Sequence, residues 1–175
     1  MNRFCAFLRG VNVKGTSMKM AEVCGVFSQA GMKNVSSVLA TGNIVFNSEK
    51  NSVESKVVLE KAMSEHFIYD AYLFIKTEKE VKEIFDKNPF ETSTDHHIYA
   101  FVGIEEVEKT LLEEFQQAEK SEDEKGEIVR KTFYWQVKKG NTLNSNFGKI
   151  LGKKSLKDKM TSRNINTFEK ILKKF

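Results

Sequence analysis

The chain has 175 residues, 40% of them hydrophobic and 30% charged, with a formal net charge of +4 at pH 7. That length fits one domain or two small, tightly packed subdomains, and a chain of this size buries enough surface to need no disulfides. The two cysteines, Cys5 and Cys24, read as small buried apolar residues of a reducing compartment. The opening MNRFCAFLRG is too short an apolar run for a signal peptide and no later run approaches a membrane span, so the expected location is cytoplasmic.

Residues 3–9 (RFCAFLR) read as a strand from their aromatic and apolar content. A loop follows, then a helix with Met20, Val23, Cys24, Phe27 and Ala30 at helical spacing and Gly31 placed for its C-terminal cap. Residues 34–39 and 44–47 read as two strands joined by ATGN, with Gly42-Asn43 as the hairpin signal. A helix opening at Asn51 or Ser52 carries Leu59, Ala62, Met63 and Phe67 on one face, and the strand AYLFIK (71–76) comes next. Thr77 and Glu80 form a capping box for a further helix, which should stop before the only proline, Pro89.

The second half begins with a strand at 97–103 (HIYAFVG) and a helix bearing Ile104, Val107, Leu111, Phe115 and Ala118. Strands EIVRK and TFYWQV follow, then helical segments near 143–160 and 165–174. The expected fold class is therefore α+β: a ferredoxin-like βαββαβ half over residues 1–90, packed against a βαββα half over 91–175. AYLFIK and HIYAFVG are apolar at consecutive positions, which predicts strands covered on both faces, as two halves covering each other's sheets would do.

Charge is uneven along the chain. Residues 1–130 hold 16 Lys/Arg against 22 Asp/Glu, and residues 131–175 hold 12 against 2. Either the C-terminal quarter meets an acidic partner or it is a lysine-rich solvated surface. Only four of the 28 basic residues are arginine: Arg3, Arg9, Arg130 and Arg163. In a chain that uses lysine wherever a point charge suffices, an arginine points to a need for its planar, bidentate fork.

Arg9 precedes the loop Gly10-Val-Asn-Val-Lys-Gly15-Thr16-Ser17, which nearly spells a phosphate-binding P-loop. The lysine required at position 16 is replaced by threonine, which argues against a nucleoside triphosphatase. A weaker reading remains, in which glycines and a helix N-terminus hold an anion, with Arg9, Gly10, Asn12 and Lys14 as its contacts. In a ferredoxin-like sheet the end of the first strand neighbours the start of the third, which predicts that Thr41, Gly42 and Asn43 join them. The competing reading makes the glycines a simple turn and Thr16 or Ser17 a helix cap. Near the other end, TSRNINTF places Arg163 and Asn164 just before a helix N-terminus, a second candidate anion site, with Asn166 and Glu169 as a capping pair.

LRGVNVKG at 8–15, KMAEV at 19–23, TGNIVF at 41–46 and TSRNINT at 161–167 together resemble the signature segments of a bacterial family known as domain of unknown function 1697. The resemblance implies a compact α+β fold related to ferredoxin-like units, and it implies no activity, cofactor or catalytic residue. No spacing suggests a metal site, because His66, His96 and His97 lie apart from the cysteines, and no cofactor is expected. The pair His96-His97 reads as a strand edge, and Phe133-Tyr134-Trp135 as core packing more than base stacking.

The leading expectation is a protein that binds a phosphate-bearing partner (RNA, single-stranded DNA or a nucleotide) at loop–helix junctions, its partner being a nucleic acid or a phosphorylated small molecule. The alternatives are a small-molecule enzyme acting on a phosphate- or carboxylate-bearing substrate, and a protein-interaction module.

Overall fold

The apolar run near the start becomes strand β1 (Asn2–Arg9) in the computed structural model, which describes residues 1–12 and 17–175. It lies antiparallel between β3 (Asn43–Ser48) and β4 (Tyr72–Thr77), and β2 (Lys33–Val38) flanks β3, giving the order β2-β3-β1-β4. Helices α1 (Met20–Gln29) and α2 (Ser52–Phe67) pack on one face. There Phe4, Ala6, Leu8, Ile44, Phe46 and Leu73 form one apolar cluster with Val23, Phe27, Leu59 and Met63. The alternate strand residues Cys5, Phe7, Val45 and Phe74 are buried as well, which is why the strands are apolar at consecutive positions.

Local chemistry sets the ends of these helices. Gly31 (φ +95°) closes α1: the Met32 N–H donates to Phe27 O and the Gly31 N–H to Ser28 O, a Schellman arrangement that brings Met32 back onto Phe27. Asn51 opens α2 with a reciprocal capping box to Glu54. Thr77 and Glu80 do the same for α3 (Glu78–Asp86).

The second sheet repeats the first. Strands β5 (His96–Gly103), β6 (Lys125–Val129), β7 (Thr132–Lys138) and β8 (Met160–Asn164) pair in the order β6-β7-β5-β8, again antiparallel throughout. Helices α4 (Val107–Gln117) and α5 (Asn146–Ile150) and a 3-10 turn (Lys154–Leu156) complete the half, and α6 (Ile165–Leu172) follows β8. Phe101, Leu111, Phe115, Phe133, Trp135 and Phe147 form its core. The fold is thus α+β with two similar ferredoxin-like halves.

The structure departs from the sequence reading in several places. Met160–Asn164, read there as a connection beside helices, is a strand, so the second half is also βαββαβ. Its residues carry no apolar alternation, and pairing with β5 imposes the extended conformation. Asn43, read as a turn residue, is the first residue of β3 and is fully buried. The helical segment expected near 143–160 is only the short α5 and the 3-10 turn, because Gly152 and the run Lys153-Lys154 supply no apolar helical stripe. Ile104, expected on the helix after β5, precedes α4 and is exposed.

By contacts the chain divides into two compact units, Met1–Glu83 with Glu169–Phe175, and Ile84–Phe168.

Candidate functional site

In the first unit, the opening loop and the β2–β3 turn are bonded to each other. The Leu8 N–H donates to Gly42 O at 2.8 Å, and the Asn12 side-chain amide donates to Ala40 O at 2.9 Å. Gly10 and Gly42 both take left-handed conformations, at φ +80° and +81°. A Cβ on Gly42 would lie 3.0 Å from both Leu8 Cβ and Val11 Cγ1, so the approach of the two segments requires a glycine there. Asn43 donates to Val38 O and to Thr41 Oγ1, at 2.9 and 3.0 Å, and so ties the turn together from inside.

The segments bearing Arg9, Gly10 and Asn12 and those bearing Thr41, Gly42 and Asn43 therefore lie side by side, and the amides of Asn12 and Asn43 are engaged in holding the loops. Arg9 is partly buried, opposite Tyr72 on β4. Lys14, Gly15 and Thr16 lie outside the described residues. Helix α1 starts at Met20 with Lys19 as N-cap and no side-chain cap, so Ser17 does not cap it. Its first turn carries Glu22, paired with His66 at 2.8 Å, and a carboxylate there disfavours a second anion.

In the second unit, Arg163 and Asn164 are adjacent in β8 and project to opposite faces. Arg163 is only 8% exposed, and its Nη1 donates to Thr161 Oγ1 and to Ser162 O, both at 2.8 Å. Asn164 faces the other way, into a cleft of about 110 Å³ where the start of β5, the end of β7 and the start of α6 meet. The cleft is lined by Ser93, His96, His97, Lys139, Asn164 and Asn166, among others, and no carboxylate is in its lining.

The hydrogen bonds define the state of these side chains. Asn164 Oδ1 accepts the Asn166 N–H at 3.0 Å, which caps α6 and replaces the Asn166–Glu169 pair expected from sequence. The Asn164 amide nitrogen consequently turns to His97 Nδ1, 3.1 Å away. An amide N–H needs a lone pair opposite it, so His97 is neutral there, with its proton on Nε2. Burial, with the Lys139 ammonium nearby, pushes His97 below the usual imidazole value and favours the same neutral form. His96 bonds Ser93 Oγ through Nδ1 at 3.1 Å and Asp123 Oδ2 through Nε2 at 3.0 Å.

Two larger clefts are chemically different. One of about 470 Å³ is lined by Glu119 and Glu124 with several asparagines, and Lys120 there bonds the Phe115 and Ala118 carbonyls. The other, about 430 Å³, lies beside Gly31, Glu49 and Lys50. Both carry carboxylates in their walls. Among the described residues, no cluster of three His, Cys, Asp or Glu side chains could hold a metal ion, and no helix is long and apolar enough to cross a membrane.

The sequence reading names Asn164, treats His96 and His97 only as a strand edge, and gives Lys139 no role. A usable signal was present: two of the three histidines stand side by side at the first residues of β5, and both line the cleft. Phe133, Tyr134 and Trp135 are core, each at most 1% exposed, with Trp135 stacked on Tyr99 at 5.6 Å. They offer no platform for bases.

The chain belongs to the family described as protein of unknown function (DUF1697), whose model matches residues 1–134. It is similar to the solved structure of the conserved bacterial protein SP0830 from Streptococcus pneumoniae, with a TM-score of 0.79 at 20% identity, over 99% of this chain and 98% of that one. At that identity the likeness is one of fold. No curated protein matches the chain.

Proposed function

We propose that the protein binds a small molecule through an anionic group, a phosphate or a carboxylate, held in the cleft between β5, β7 and α6. One observation carries this reading: the cleft is lined by cationic and N–H-bearing side chains, Lys139, His97, Asn164 and Asn166, with no carboxylate among them. At about 30 Å³ per water, its volume has room for three or four waters or for a single oxyanion. The site lies at a strand–helix junction, where the first N–H groups of a helix add to the attraction. Small size favours the terminal group of a small molecule over a nucleic-acid strand, which needs an extended basic groove. A bacterial cytoplasmic setting fits the two cysteines, Cys5 and Cys24, which form no disulfide.

Calorimetric titration with inorganic phosphate tests this directly. Saturable binding is expected, weakened about tenfold or more in Lys139→Ala and in Asn164→Ala, since a hydrogen bond to a charged group contributes about 1.5–3 kcal/mol. Arg9→Lys should bind as the parent does. Absence of saturable binding, or its loss only in the Arg9 variant, would contradict the assignment.

A further inference from the structure

We propose that Ser93, His96 and Asp123 form a hydrogen-bonded relay that makes this cleft an acyl-transfer site, hydrolysing short esters whose acyl part carries an anionic group. The substrate class rests on the anion-binding reading above; the relay rests on separate geometry. Ser93 Oγ is 3.1 Å from His96 Nδ1, and His96 Nε2 is 3.0 Å from Asp123 Oδ2. A carboxylate only accepts, so the imidazole proton sits on Nε2 and leaves the Nδ1 lone pair facing the serine hydroxyl. That is the nucleophile–base–orienter order an activated serine needs, with the roles of the two ring nitrogens interchanged from the familiar triad.

The surrounding fold holds each member in place. His96 lies in β5 opposite Lys138 of β7, and the Lys139 N–H donates to Asp95 O, which anchors the segment bearing Ser93. The Gln136 side chain donates to the backbone carbonyl of Asp123 at 3.3 Å, and the next residue, Glu124, accepts from the Trp135 indole at 3.0 Å. Bonds from His96 and Ser121 hold the Asp123 carboxyl below its ordinary range, so it stays ionised and acts as a positioning residue for the ring. Ser93 and His96 both line the cleft that contains Lys139 and Asn164.

The chemistry balances without a cofactor. Ser93 Oγ forms a bond to the ester carbonyl carbon as its proton passes to His96 Nδ1, and negative charge collects on the carbonyl oxygen. N–H donors of the cleft are the groups available to receive that charge. Collapse breaks the bond to the alcohol oxygen, which takes the proton from His96. Water then repeats the sequence on the acyl-serine, releasing the acid and restoring the serine.

The test uses a fluorophosphonate probe, which joins phosphorus to an activated serine oxygen with loss of fluoride, followed by peptide mass spectrometry. Hydrolysis of p-nitrophenyl acetate and of mono-p-nitrophenyl succinate is measured alongside. The proposal predicts an adduct on Ser93 that is absent in His96→Gln, and a higher kcat/KM for the succinate ester that Lys139→Gln removes. His96→Gln should lower kcat by about 10²–10⁴-fold. Asp123→Asn should lower kcat while KM stays unchanged, a split that a merely structural role would not produce. Ser93 Oγ also accepts the His96 N–H at 3.2 Å, a local turn that His96→Gln leaves available, so loss of labelling there would not be loss of the turn. No adduct on Ser93, or equal labelling in His96→Gln, overturns the relay even if phosphate binds. An adduct in a protein that does not bind phosphate overturns the anionic substrate class and the binding reading together, and leaves the relay standing.

Discussion

At Gly42 two demands coincide: a left-handed backbone and a wall of side chains 3.0 Å from where a methyl would sit. Gly10 has the first demand without the second, with nothing within 4 Å of its would-be Cβ. A left-handed non-glycine residue costs about 1–2 kcal/mol, and overpacking adds about 1–3 kcal/mol. Gly42→Ala should therefore lower the unfolding free energy clearly more than Gly10→Ala, as urea midpoints at constant slope will register. Glu80 offers a pH-dependent counterpart. Burial opposes its charge, but the Thr77 N–H at 2.8 Å, the Lys76 ammonium at 3.1 Å and the Thr77 hydroxyl at 2.9 Å outweigh that, and its carboxyl lies below the ordinary value of 4.5. A depressed carboxyl contributes stability above its ordinary value and loses it as pH falls through the depressed one. Glu80→Gln should thus be less stable than the parent at pH 7, and the gap should narrow in acid in urea titrations at both pH values.

Among the elements, β8 is the one whose conformation comes from its neighbour. Its partner residue Gly103 faces Met160, and a Cβ on Gly103 would stand 2.3 Å from Lys159 O and 2.8 Å from Val107 Cγ1. Gly103→Ala should destabilise by about 2–3 kcal/mol, with hydrogen exchange accelerated in the amides of 160–164 first. This explains what could be read from the chain and what could not. The helix ends at Asn51, Thr77 and Gly31 were legible because each rests on residues within a few positions of one another. Met-Thr-Ser-Arg-Asn has no such local cause: its strand state depends on β5, some sixty residues away. Asn43 was misplaced for a related reason, since its amide closes the turn from a buried strand position that a turn-forming residue type does not announce.

For the molecule as a whole, the same strand order appears twice, β2-β3-β1-β4 and β6-β7-β5-β8, without an obvious repeat in the sequence. Topology follows from the order and length of apolar segments, whereas a site depends on which side chains meet at strand ends. That is why the fold was legible and the cleft was not: His97 and Asn164 are 67 positions apart and meet only once β5 and β8 pair. The most direct measurement is a long-range proton–nitrogen NMR spectrum of the imidazoles during titration with inorganic phosphate. The account predicts a neutral His97 carrying its proton on Nε2 in the free protein at neutral pH, and a saturable shift of that ring together with the Asn164 amide. A His97 ring and Asn164 amide that stay unmoved at saturating phosphate, or shifts confined to the Arg9 loop, would contradict it.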